Sequence, residues 1–190
     1  MAFFIINKNH INHKGTINLY TNRFLLRKFE DNDVNYIFDN WASCKEAARY
    51  NAWNVHSSIK ETKEYLMEWI KNYDKLNYYN WAITNKETKE VIGSISVSNI
   101  KNRSRYCEIG YTIASKYWNN GIATEVLIRV LDYLVKEVGF QKIHAIYDVR
   151  NIASGRVMEK AGMVYLKNRK KFLVNNENMI MNCSIYEYKV

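Results

Sequence analysis

Apolar positions along this chain switch between alternating and helical spacing, and the switches predict an ordered series of elements. The stretch INLYTNRFLLRKF, Ile17 to Phe29, is rich in strand formers and partly alternates, which predicts one strand. Val34, Ile37, Phe38 and Trp41 then recur at helical spacing behind Asp31, a residue suited to an N-cap. SCKE (Ser43 to Glu46) and SIKE (Ser58 to Glu61) both match the capping-box pattern and predict two further helix starts. The second opens a helix with Tyr65, Leu66, Trp69 and Ile70 on one side. NWAIT (Asn80 to Thr84) and VIGSISVS (Val91 to Ser98) flank NKETKE as a hairpin, and YCEIGYTIA (Tyr106 to Ala114) is a third strand with Gly110 inside it. A glycine there predicts a bulge or a close backbone approach.

A long helix follows from Ile122 to Val138, apolar at Ala123, Val126, Leu127, Val130, Leu131 and Leu134, with Gly139 as its stop. Lys142 to Asp148 reads as a strand and Ala153 to Ala161 as a short helix ending at Gly162. Two last strands, about Val164 to Val174 and Asn182 to Tyr188, are joined through NNEN. The fold class expected is α+β, a mixed and mostly antiparallel sheet flanked by helices, with one β-α-β crossover over Tyr106 to Asp148. No repeat or Gly/Ser-rich linker divides the 190 residues, so one domain, 1–190, is expected.

Composition narrows the classes. With 47% hydrophobic and 25% charged residues the chain is ordinary for a globular protein. It has no apolar run long enough for a membrane span, and its first ten residues lack the basic start and cleavage site of a signal peptide. The three cysteines form no Cys-x-x-Cys and the four histidines no His-Glu-x-x-His. A reducing cytoplasm and no metal are therefore expected. The net charge of +9 fits an anionic partner, but only KNRKK (Lys167 to Lys171) is clustered and no nucleic-acid motif accompanies it. Direct nucleic-acid binding is not expected. Monomer and homodimer both stay open.

SKYWNNGIATEVL, Ser115 to Leu127, joins a strand to the long helix through a polar turn. Unpaired amides and the helix dipole make such a start favourable to an anion. Gly121 puts no side chain in the way, and Asn119 and Asn120 tolerate a left-handed backbone. A plain loop glycine satisfies the same spacing. Neither the Walker pattern nor G-x-G-x-x-G is present.

Taken together, TNRFLLRKFEDNDV, NWAI with VIGSISV, EIGYTIASKYWNNGIATEVL and NIASGRVMEKAGM resemble, in this order, the GNAT superfamily of acyl-CoA-dependent N-acetyltransferases. The resemblance runs from about Leu19 to Tyr188 and is closest to the Rim-type ribosomal-protein N-terminal acetyltransferases. It implies acetyl-CoA as cosubstrate and a cofactor strand that bulges and splays from the strand carrying His144. The pantetheine arm would pair with backbone at Tyr111, Thr112 and Ile113. The pyrophosphate would rest on Asn119, Asn120, Gly121, Ile122, Ala123 and Thr124. Asn151 would bond the pantetheine, and Ser154 would sit near the sulfur as proton donor.

Departures from the pattern bear on mechanism. Met158 stands where many members have a tyrosine, which leaves Ser154 as candidate acid. Leu166 and Lys167 replace Glu-Gly, and Asn182 replaces Asp, so no dedicated base is evident. Glu108 serves through water or merely faces solvent; the sequence leaves this open. The acceptor side is expected at Trp53, His56, Trp81 and the last hairpin. His56 is either an acceptor contact and proton relay or a loop residue without a catalytic task. A base-poor site suits an N-terminal amine. At about pH 7.4 roughly a third of an α-amine of pKa about 7.7 is neutral, against about one in a thousand for lysine, a gap of about 3.5 kcal/mol. Three functions follow: acetylation of a protein N-terminus of the ribosomal-protein type; acetylation of a polyamine or aminoglycoside; or a catalytically weak CoA-binding, ribosome-associated module.

Overall fold

The first apolar run folds as a tight hairpin, not one strand: β1 (Leu19–Tyr20) pairs antiparallel with β2 (Phe24–Arg27). Thr21 breaks the run. Its amide donates to the Phe24 carbonyl at 3.0 Å and its Oγ1 accepts from the Phe24 amide at 2.9 Å, closing the turn. This computed structural model describes residues 10–50, 53–172 and 180–190.

A helical segment follows in three pieces: a 3-10 turn at Asp31–Asp33, α1 (Val34–Ile37) and a π turn at Phe38–Ala42. Ile37 and Trp41 are buried, as their spacing predicts. The segment's N-cap falls one residue earlier than expected, at Glu30, whose amide donates to Asp33 Oδ2 at 2.8 Å. The first capping box is not formed. Helix α2 (Lys45–Ala48) starts from Cys44, while Ser43 Oγ donates back to the Phe38 carbonyl at 2.7 Å. The second forms by half: Ser58 Oγ accepts from the Glu61 amide at 3.3 Å at the head of α3 (Ile59–Asn72), while the Glu61 carboxylate takes the Ser57 amide instead of that of Ser58.

Strands β3 (Asn80–Asn85), β4 (Val91–Lys101) and β5 (Tyr106–Ile113) continue the antiparallel sheet. Helix α4 (Ile122–Tyr133) and a π turn at Leu134–Val138 end at Gly139, whose φ of 98° gives the left-handed stop. After β6 (Lys142–Asp148) and α5 (Ile152–Lys160), β7 (Val164–Phe172) and β8 (Ile180–Lys189) complete the fold. The NNEN connection and the expected strand end at Val174 lie outside the described residues.

The eight strands run in the order β1-β2-β3-β4-β5-β6-β8-β7, with β5 and β6 the parallel pair joined by the α4 crossover. The fold class is the one expected. Strand alternation sends Trp81, Ile83 and Ile95 to one face, under Val126, Leu127 and Val130 of α4. It sends Ala82 and Val91 to the other, under Ile37, Trp41 and Leu66. Strand β7 is an outer edge, with Val164, Lys167, Arg169 and Lys170 all exposed.

Candidate active site

The parallel pair is short. Tyr106–Ile109 of β5 pair with Lys142–Ala145 of β6, and the two strands part from Gly110 onward. Toward β4 the register stays regular from Glu108 to Ile113, so the expected splay is present and the expected bulge at Gly110 is not. The Ala114 amide bonds the Ile92 carbonyl at 2.9 Å, which makes Thr112 and Gly110 the residues that exchange bonds with β4. The N–H groups of Tyr111 and Ile113 therefore face the gap. Their places in a β6 ladder are empty.

Alongside the gap lies a cleft of about 350 Å³. Tyr111, Thr112, Ile113, Asn119, Asn120, Gly121, Ile122, Ala123, Thr124, Asn151 and Ser154 all line it. Asn119 (φ 62°) and Gly121 (φ 72°) take the left-handed backbone that turns the chain into α4. No side chain caps this helix, so its first amides are open to the cleft. Glu125, in the first turn, would repel an anion, but Arg23 holds it through Nε at 2.7 Å. Arg156 and Lys160, one turn apart on α5, add two cations to the lining.

Long-range bonds fix the turn. The Glu90 carboxylate accepts from Lys116 Nζ at 2.6 Å, Tyr117 OH at 2.5 Å and Asn40 Nδ2 at 3.1 Å. Trp118 Nε1 donates to the Ile113 carbonyl at 2.7 Å. On the far wall Asn151 caps α5 through the Ser154 amide at 3.3 Å, and Tyr111 OH donates to the Ser154 carbonyl at 3.3 Å. Burial pushes the Tyr111 phenol above its ordinary range, so it stays a donor.

A second cavity, about 480 Å³, opens on the other face of the sheet. Its walls are Trp41 and Ala42 of the π turn, Trp53 and His56 of the loop, Tyr65 and Trp69 of α3, and Ser94 and Ser96 of β4. Gly110 forms part of its floor, with nothing within 4 Å of where a Cβ would stand. Tyr111 and Thr112 line both cavities, which therefore share this stretch of β5 as a wall beside the parted strands. Among the described residues this second lining holds no carboxylate, lysine or arginine.

A pocket for an extended anionic ligand thus abuts an uncharged aromatic pocket across two residues of one strand. Residues 23–164 match the model of the acetyltransferase (GNAT) domain. The chain belongs to the GNAT acetyltransferase family. YoaA, an uncharacterized N-acetyltransferase of Bacillus subtilis, is 32% identical over 144 residues, covering 76% of this chain and 81% of YoaA. A GNAT-family acetyltransferase structure from Bacillus anthracis superposes with a TM-score of 0.78 at 25% identity, over 91% of this chain and 98% of that one. The ribosomal protein uS5 alanine N-acetyltransferase of Escherichia coli is 23% identical over 154 residues, 77% of each chain. This GNAT chain is an N-acetyltransferase, and GNAT acetyltransferases use acetyl-CoA as cosubstrate.

Within this GNAT fold the expected acceptor residues divide. Trp53 and His56 line the aromatic cavity. Trp81 does not: it is 0% exposed, donates from Nε1 to the Ile17 carbonyl at 2.7 Å and packs edge-on against Tyr133. Glu108 lines neither cavity, its Oε1 accepting from Asn99 Nδ2 at 2.8 Å and Tyr106 OH at 2.7 Å. Nor do the described residues of β7 and β8, which carry Leu166, Lys167 and Asn182. Sequence reasoning missed Trp41, Trp69, Ser94 and Ser96, which come from separate elements, and Arg156 and Lys160, whose spacing of four on a helix was a usable signal.

Proposed function

We propose that the chain transfers the acetyl group of acetyl-CoA to a protein N-terminal α-amine, of the ribosomal-protein type, in the cytoplasm. The observation that carries this reading is that Tyr111 and Thr112 line both cavities. The phosphates of acetyl-CoA would lie on the amides from Asn119 to Thr124, near Arg156 and Lys160. The pantetheine would pair with the open edge of Tyr111 and Ile113, beside Asn151 and Ser154. The thioester would then reach the junction, where the Tyr111 amide polarises its carbonyl and Ser154 protonates the departing sulfur.

Two features support the acceptor class. The Escherichia coli relative acts on a ribosomal-protein alanine. The second cavity also presents aromatic walls and no carboxylate among its described residues. A polyamine or aminoglycoside carries several positive charges, and such a lining would desolvate them without a counter-charge. A monovalent α-amine is neutral often enough to enter.

The test is an acetyl-CoA turnover screen against N-terminal peptides, internal-lysine peptides, spermidine and kanamycin. Turnover is expected with N-terminal peptides. Preference for lysine or a polycation would overturn the acceptor, and coenzyme A binding without turnover would indicate a binding module. Gly121→Glu places a carboxylate at the turn and is expected to abolish coenzyme A binding in calorimetry. Unchanged affinity would remove the phosphate site from the turn.

A further inference from the structure

The aromatic cavity contains one ring that changes charge near neutral pH, and its neighbours hold that ring in place. His56 is 8% exposed, and its amide donates to the Ala42 carbonyl at 2.8 Å. Its Nδ1 lies 2.8 Å from Oγ1 of Thr62, a residue that is 0% exposed. Tyr65 stacks on the imidazole at 4.9 Å between centroids, and Trp53 meets it edge-on at 6.2 Å. With Nδ1 committed to Thr62, Nε2 is the nitrogen left for a ligand, and no hydrogen bond to it is made by the described residues.

Other groups around the ring leave it the task of accepting a proton. Helix α3 presents Thr62, Tyr65 and the field of Glu61, whose own carboxylate accepts from the Ser57 amide at 2.8 Å. The π turn presents the Ala42 carbonyl, and the loop presents Trp53. Burial pushes up the phenols of Tyr78, Tyr79 and Tyr111, which also line the cavity, so none of them is a base at neutral pH. Burial lowers the His56 pKa against a smaller opposing pull from Glu61, so the ring is neutral there.

We infer that His56 is the general base of the transfer, its Nε2 taking the proton shed by the acceptor nitrogen, directly or through one water. This rests on the acetyl-transfer reading above. The amine lone pair forms the C–N bond at the thioester carbonyl, and the nitrogen's proton passes to Nε2. The C–S pair leaves on sulfur, which takes a proton from Ser154 or water, and the imidazolium's proton returns through solvent to whichever group gave it. The products are the acetamide and coenzyme A. Thr62 acts as a positioning residue: its Oγ1 holds Nδ1 at 2.8 Å, and the proposal requires that hydroxyl to accept from Nδ1–H so that the lone pair stands on Nε2.

His56→Asn tests this cleanly, since an asparagine amide can replace Nδ1–H toward Thr62 but supplies no base. The amine used is whichever supports wild-type turnover, so failure of the N-terminal reading and failure of this one are separate results. The expected outcome is a kcat loss of about 10²-fold or more, with coenzyme A affinity unchanged. The wild-type acidic limb of kcat, set by a His56 pKa that burial holds below the ordinary histidine value, should vanish in the variant. A kcat within about threefold of wild type, or an unmoved limb, would overturn the assignment. Should His56→Asn fail to fold or to bind coenzyme A, imidazole added to His56→Ala decides: rescue of kcat supports the role, and no rescue overturns it.

Discussion

Trp81 shows how one side chain can carry a site signature in sequence and a packing role in space. It lies on a strand beside residues of the aromatic cavity, yet alternation turns it to the opposite face, against Tyr79 and Tyr133. Its indole N–H is satisfied by Ile17. Trp81→Ala is therefore expected to lower unfolding free energy by about 3–5 kcal/mol, read by urea denaturation. A changed acceptor KM at unchanged stability would put Trp81 back in the site. Tyr111 makes the converse point. The sequence offers it as backbone for pairing, and the structure adds a buried hydroxyl that ties β5 to the first turn of α5 through Ser154.

At the scale of elements, the end of β6 governs the start of α5. Asp148 accepts from Arg150 Nη2 at 2.6 Å and from its amide at 2.9 Å, while the Asp148 carbonyl takes the Asn151 amide at 2.7 Å. The Arg150 hydrogen bond outweighs burial and holds the Asp148 carboxyl below its ordinary value. A carboxylate with a depressed folded pKa contributes stability above its unfolded value, about 3.9, and loses it as pH falls through the folded one. Asp148→Asn should thus flatten the acid side of a Tm-against-pH curve and weaken coenzyme A binding by loosening Asn151. An unaltered acid limb would exclude Asp148 from the linkage. The cofactor-side elements were legible because each depends on near neighbours in the chain: Gly121 before α4, Asn151 before α5, Gly139 after the crossover helix. The hairpin in Ile17 to Phe29 was hidden because only three polar residues, Thr21 to Arg23, separate its strands, with neither glycine nor proline among them, and bonds of Thr21 to Phe24 make the turn. The aromatic cavity was hidden for another reason. Trp41, Trp69, Ser94 and Ser96 meet only after a π turn, a helix and a strand have packed, and no spacing in the sequence records that.

For the molecule as a whole, a net charge of +9 and a cleft lined by Arg156 and Lys160 should draw a polyanionic cosubstrate from solution. Raising ionic strength from about 0.01 M to about 0.15 M shortens the Debye length from about 30 Å to about 8 Å. The KM for acetyl-CoA is expected to rise across that range while kcat stays level, and a flat KM would show that the field contributes nothing. The outer strand β7 puts charge to a different use. Among the described residues no strand pairs with its outer flank, a template on which another molecule's backbone would zip, but Lys167, Arg169 and Lys170 are exposed along it. A neighbour docking there would have to strip water from several ammonium and guanidinium groups at once. Crowded in a cell or concentrated in a tube, the chain should resist fibril seeding at this outer strand.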